Sequence, residues 1–372
     1  MMINYRRFYY TYLTLSLLPI LMIGLFNFCM DPYNIFKLVT ISGINELKPQ
    51  KTNHMRLFHA VELTRIKPKL IFLGTSRAQR LPTNHAATKG LGTAYGAALP
   101  GASIFEMRRY LEHAIHNQPD FKLVIIGLDF FAFGSKVVIA PGFKDDRLGK
   151  NRLTFDDAVS IIFSTDSFKD SRVTLNKNLH YDRNSNKISD KSRGGIVKIS
   201  QAVISNYFTS ENRYKNYILS DIHIEEYRKI VELCKRNNIR LISFISPVHA
   251  TQLETIRVSR LWNTFEQWKR VIIKISPVWD FSGFNSITTE PLNNKMRNYV
   301  DPSHYNYQVG NLIFNRVFQY NETQVPYDFG IYIDNLDTLE MHLRKTNQDY
   351  FLWAKNNQNE VDFVGNLTIS TK

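Results

Sequence analysis

From Phe8 to Met30 the chain carries no charged residue, with Arg6 and Arg7 ahead of the run and Asp31-Pro32 behind it. A helix rising about 1.5 Å per residue crosses a hydrocarbon core of roughly 30 Å over such a length. One end of the chain therefore belongs in a bilayer, and the rest must fold beside it. Tyr5, Tyr9, Tyr10 and Tyr12 suit the interfacial aromatic belt, and Pro19 and Gly24 are tolerated inside a membrane helix. A buried core helix fits less well, because the run is apolar all round and opens the chain. A cleaved signal peptide would be shorter and would end in a small-x-small site. The expectation is an uncleaved single-pass anchor within residues 1–30, its tip held in the cytoplasm by Arg6 and Arg7 and everything after Asp31 outside.

Beyond the anchor the pattern is α/β. Leu70-Ile71-Phe72-Leu73 and Leu123-Val124-Ile125-Ile126-Gly127-Leu128 are short apolar runs, as in strands buried on both faces of a parallel sheet. Arg240–Ile245 adds another strand, and Val278-Trp279-Asp280-Phe281-Ser282-Gly283 reads as a short final strand and turn. Between them, apolar residues recur at helical spacing over Ile104–His116, Glu225–Asn237, Leu261–Ile272 and Val309–Phe318. Ser103 with Glu106 has the spacing of a capping box. Alternating strands and helices predict an α/β domain with a parallel sheet. Residues 31–65 read as a juxtamembrane linker with a helical stretch at Met55–Leu63. Residues 66–325 form the main domain, and 326–372 a C-terminal helical extension whose apolar points are Leu339, Leu343, Tyr350 and Leu352. Residues 142–220 are polar, with apolar runs only near Ala158–Phe163 and Ile196–Ile204. They read as an insertion that either caps the sheet or is a surface excursion without a role.

The formal net charge is +14, compatible with nucleic acid, an anionic membrane or an anionic polymer. The basic residues are scattered and no RNP or zinc-knuckle pattern occurs, so a nucleic-acid partner is not expected. Cys29 lies in the apolar run and Cys234 in an expected helix; neither a disulfide nor a cysteine metal site is expected. No glycine-rich phosphate loop is present, and no cofactor or metal is expected.

Candidate chemistry rests on Gly74-Thr75-Ser76-Arg77 and Asp301-Pro302-Ser303-His304. Ligands of open α/β sheets bind beyond the carboxyl ends of the strands, where Ser76 would lie. A serine hydroxyl becomes a useful nucleophile when a histidine takes its proton and a carboxylate orients that histidine. Asp301 and His304, at the start of the late helix, would supply both partners. Each residue also has a plain reading: Ser76 and Asp301 as helix caps, His304 as a surface residue. His249 and Asp280 also follow strands, and each is either a neighbour of the site or a satisfied structural group.

With these two blocks the chain resembles the SGNH (GDSL-like) hydrolases, and within them the membrane-anchored bacterial branch that includes alginate O-acetylation and D-alanyl-teichoic acid transfer proteins. The resemblance spans about residues 66–318 and implies a flavodoxin-like parallel sheet with flanking helices, preceded by the one N-terminal membrane helix. It implies Ser76 as nucleophile, Asp301 and His304 as its triad partners, and the backbone N–H groups of Ser76 and Gly101 as oxyanion donors. It implies an acyltransferase or esterase acting on a cell-envelope polysaccharide or other acylated glycan, with a multi-spanning membrane acyl donor as a possible partner. The family's third block offers an asparagine donor where this chain has Asp129. An ionised carboxylate cannot donate and would oppose an oxyanion. Either the two backbone groups act alone, or Asp129 has a structural role such as holding Arg77; the two are compatible.

Overall fold

The computed structural model describes residues 5–38, 40–181 and 195–369. The first residues of the expected cytoplasmic tip, the middle of the polar 142–220 segment and the last residues of the C-terminal extension lie outside these. The chain divides into two compact units, Met1–Arg65 with Lys144–Ile188, and Ile66–Phe143 with Ser189–Lys372.

The first unit is built on the helix Tyr5–Met30, which is long and apolar enough to cross a membrane. It stops where Asp31 takes a left-handed backbone (φ 42°). The Asp31 carboxylate then accepts from Ile35 N at 2.7 Å and Lys37 N at 2.8 Å, so the turn satisfies its own backbone donors. The helix Met55–Ile66 follows. The first half of the polar segment contributes the helices Phe155–Phe163 and Thr165–Leu179, capped by the side chains of Thr154 and Ser164. Tyr33, Ile35, Leu57, Phe58, Val61 and Ile161 form the unit's apolar centre.

The second unit holds the sheet. Its strands are β1 (Leu70–Leu73), β2 (Ala94–Gly96), β3 (Leu123–Leu128), β4 (Arg240–Ile245), β5 (Val278–Asp280), β6 (Tyr299–Asp301), β7 (His304–Tyr305) and β8 (Ile331–Ile333). Six lie in the order β2-β1-β3-β4-β5-β8. β1 to β5 are parallel neighbours, and β8 joins β5 antiparallel. In this order the chain runs to one side after β1 and to the other from β3 onward, so the topological switch point lies between β1 and β3. β1 and β3 are buried along their whole length, as their unbroken apolar runs require. Helix Ile104–Asn117 starts at the expected capping box, with both reciprocal Ser103–Glu106 bonds present. Helix Tyr307–Val317 inserts Val309, Ile313 and Phe314 among Phe72, Ile125 and Phe244 of the sheet.

Short elements account for most departures from the sequence reading. β5 is not the last strand, since β8 covers its free edge. β2 is three residues long and includes Gly96, too short to show a period. Asp301 and His304 do not open a helix. They face each other in the two-stranded β6–β7 hairpin, and the helix begins at Tyr307 with Asn306 as its cap. In the C-terminal helix Leu336–Asn356, Leu339 and Leu343 are buried, but the third anchor is Trp353; Leu352 is exposed.

Candidate active site

β1 delivers Ser76 to the switch point through a turn that only glycine fits. Gly74 has φ 142°, and a Cβ there would come within 2.6 Å of Ala78 Cβ. Gly310, on the helix after the hairpin, has no room for a Cβ either, because it would meet the Arg80 carbonyl oxygen at 2.1 Å. The turn after Ser76 and the helix after His304 are thus seated directly on one another.

Across that contact, Ser76 Oγ lies 2.8 Å from His304 Nε2. His304 Nδ1 lies 2.8 Å from Asp301 Oδ2 and 3.0 Å from Oδ1. Asp301 Oδ1 also accepts the backbone N–H groups of Ser303 (2.8 Å) and His304 (3.1 Å). A carboxylate only accepts, so Nδ1 carries the imidazole proton and the Nε2 lone pair faces the serine. Ser76 is half-buried and the His304 side chain is 28% exposed against 13% for Asp301. The reacting pair reaches solvent while the orienting carboxylate is shielded. Ser76 does not cap a helix: the short turn Ala78–Arg80 is entered through Arg77 without a side-chain cap.

Beneath this row lies a buried polar frame. Arg77 Nη1 donates to Asp129 Oδ1 at 2.8 Å, with side-chain exposures of 5% and 1%. Asp129 Oδ2 accepts the Thr75 hydroxyl. Arg77 Nε donates to the Ser303 carbonyl at 3.0 Å, and Nη2 to Ser303 Oγ at 2.9 Å and Tyr207 Oη at 3.0 Å. One guanidinium, always charged, therefore ties the end of β1 to the end of β3 and to the residue before His304. Asp129 is committed to this frame, the structural role left open by the sequence. Thr75, Ser303 and Tyr207 escaped sequence reasoning. Ser303 sits inside a motif already singled out, whereas nothing in the polar segment marks Tyr207.

Gly101 has a left-handed backbone, φ 61°. Its segment is tied to the β1 turn by Leu99 N donating to the Gly74 carbonyl at 3.0 Å. Among the described residues, neither the Gly101 nor the Ser76 backbone N–H has a hydrogen-bond partner.

Two other candidates are placed elsewhere. The His249 ring caps helix Ala250–Val258: Nδ1 accepts from Thr251 N at 3.2 Å and Nε2 donates to the Glu290 carbonyl at 2.6 Å. Burial pushes its pKa down to about 4, partly offset by the Glu290 contact. The ring is structural, but His249 N donates to the Pro302 carbonyl at 3.0 Å and so steadies the hairpin. Asp280 is fully buried against Lys269 Nζ at 2.7 Å. Burial alone would raise its pKa, yet Lys269 and His342 hold it well below the usual carboxylate range. It edges a separate cavity of about 320 Å³ lined by Ser282, Asp328, His342 and Lys345. Among the described residues, no group of three or more His, Cys, Asp and Glu could hold a metal ion.

Neither a family model nor a curated protein matches this sequence.

Proposed function

We propose that the chain is a membrane-anchored, serine-dependent O-acyltransferase or esterase of SGNH type, working outside the cytoplasmic membrane on acyl esters of an envelope polysaccharide. The observation that carries this reading is the unbroken row from Ser76 Oγ through the His304 ring to Asp301, both of its hydrogen bonds 2.8 Å long, at the switch point of a parallel sheet. Ser76 Oγ attacks the ester carbonyl while His304 Nε2 takes the hydroxyl proton, and the carbonyl π pair moves onto oxygen. The unpartnered N–H groups of Ser76 and Gly101 are suited to that oxyanion. Collapse expels the alkoxide, which recovers the proton from His304. A carbohydrate hydroxyl or water then attacks the acyl-serine, with His304 again the base, and Ser76 is released.

The membrane-length helix Tyr5–Met30 supports a site of action near a bilayer, where a multi-spanning protein could pass acyl groups to Ser76. The basic surface suits an anionic polymer. A second reading is a non-catalytic membrane-anchored glycan or partner binder on the same fold; it takes its support from Asp129 standing in place of an asparagine donor, but the contacts of Asp129 with Arg77 and Thr75 give that carboxylate another role. The test is labelling of the detergent-solubilised protein by a fluorophosphonate, together with turnover of an acetyl ester. Wild type reacts at Ser76, and Ser76→Ala loses both signals while remaining folded. A wild type inert to both would refute the assignment.

A further inference from the structure

The helix Phe155–Phe163 sits oddly for a soluble surface. Its inner side is buried, with Asp157 paired to Arg147 at 2.7 Å and Ile161 in the unit's apolar centre. Its outer side exposes Phe155 (81%), Val159 (37%) and Phe163 (43%). These positions are i, i+4 and i+8, one continuous stripe. The helix is also fastened to the anchor within the anchor's apolar length. A Cβ at Gly24 would meet the Phe163 ring at 2.5 Å and Ile162 Cγ2 at 3.1 Å, and Asn27 Nδ2 donates to the Ile162 carbonyl at 2.8 Å. Gly24 lies six residues before Met30, about 9 Å of helix. If the anchor spans the bilayer up to Met30, Phe163 sits below the membrane surface.

From these contacts we infer that Phe155–Phe163 lies in the outer leaflet as an interfacial helix, its Phe155–Val159–Phe163 stripe turned toward lipid. The inference rests on the anchor of the proposed function but not on its chemistry. The occupant is lipid because the stripe continues from a helix whose own surface requires lipid. In a Cys29→Ser, Cys234→Ser background, single cysteines at positions 15, 155 and 156 are labelled with a polarity-sensitive fluorophore in full-length protein reconstituted into phosphatidylglycerol-containing vesicles. Quenching by acyl-chain nitroxide lipid at 15 and 155, at least three-fold stronger at 155 than at 156, is expected. Quenching at 15 but not at 155, with 155 open to aqueous iodide, overturns the inference and leaves the anchor standing. Shielding of 155 from both quenchers also overturns it, since a protein would then cover the stripe. Absence of lipid quenching at 15 removes the anchor and this inference together.

A separate observation concerns Arg213. Its guanidinium carbon lies 4.3 Å from the centre of the Phe131 ring and 5.6 Å from that of Tyr207. Nη1 donates to the Asn212 carbonyl at 3.0 Å, whereas Nη2 lies 4.0 Å from the position of a Cβ on Gly101. Among the described residues no carboxylate pairs with it. A half-buried cation without a counter-ion, beside an unpartnered N–H of the candidate site, is suited to negative charge that arises only during reaction. Building on the hydrolase reading, the geometry assigns Arg213 as a charged donor to the oxyanion formed when Ser76 attacks. With an uncharged p-nitrophenyl acetate substrate, Arg213→Met should lower kcat about 100-fold with KM within two-fold, and Arg213→Lys should recover part of the loss. Unchanged kcat on the neutral ester, with loss confined to anionic substrates, would make Arg213 a binding residue and overturn the assignment. A wild type inert to ester and fluorophosphonate fails the parent reading and this one with it.

Discussion

Replacing Asp129 by Asn tests whether the buried frame beneath the site is held by charge. Asp129 Oδ1 meets Arg77 Nη1 at 2.8 Å, and both side chains are at most 5% exposed. Removing one partner from such a pair costs about 3–5 kcal/mol, because the other charge stays buried without compensation. Asparagine keeps an acceptor for Arg77, and the Thr75 hydroxyl can turn to accept from the new amide. The loss should fall near the lower end, about 3 kcal/mol. Asp129→Ala loses both hydrogen bonds as well and should reach about 5 kcal/mol. The double variant Arg77→Met, Asp129→Leu should be less destabilised than Asp129→Ala, since no charge is left stranded. The assay is urea unfolding in detergent followed by tryptophan fluorescence. All four tryptophans of the chain, Trp262, Trp268, Trp279 and Trp353, belong to the second unit, so the signal reports the unit that contains the pair. An Asp129→Asn variant within 1 kcal/mol of wild type, the range of a surface pair, would refute the reasoning.

Two further outcomes follow from the same packing. Burial holds the His249 pKa at about 4 against 6.5 in the unfolded chain, so the unfolded state binds the extra proton first as pH falls. Stability is then complete above pH 6.5 and declines toward pH 4, by about 3 kcal/mol in all. Urea midpoints across this range should show the decline, and His249→Gln should flatten it; equal slopes in the two proteins would exclude His249 as the source. Gly310→Ala forces a methyl group against the Arg80 carbonyl, where 2.1 Å is available, and should cost about 1–3 kcal/mol as the helix shifts. Since that helix follows His304, fluorophosphonate labelling of Ser76 should slow at least ten-fold with all three site side chains intact. Wild-type labelling would show that the seat does not set the Ser76–His304 distance.

Elements whose signal is continuous along the chain were legible without coordinates. Twenty-three uncharged residues from Phe8 to Met30 specify a membrane-length helix through local composition alone. Strands β1, β3 and β4, and the capping box at Ser103, likewise carry their pattern within a few residues. β2, β6, β7 and β8, each two or three residues long, show no period. β2 and β8 form where β1 and β5 present backbone groups to pair with, and β6 and β7 pair only with each other. Asp301 and His304 accordingly lie in a hairpin rather than in a helix turn.

The linear order of residues determined which side chains could do chemistry: Ser76 at the end of an apolar run, and Asp301 with His304 three positions apart. Tertiary packing alone decided that they meet, because the contact spans 228 positions and depends on a helix glycine pressed against the Arg80 carbonyl. It also decided the duty of Asp129. A carboxylate at the end of β3 is an obstacle or a support according to what lies beside it, and only the folded chain brings the Arg77 guanidinium within 2.8 Å.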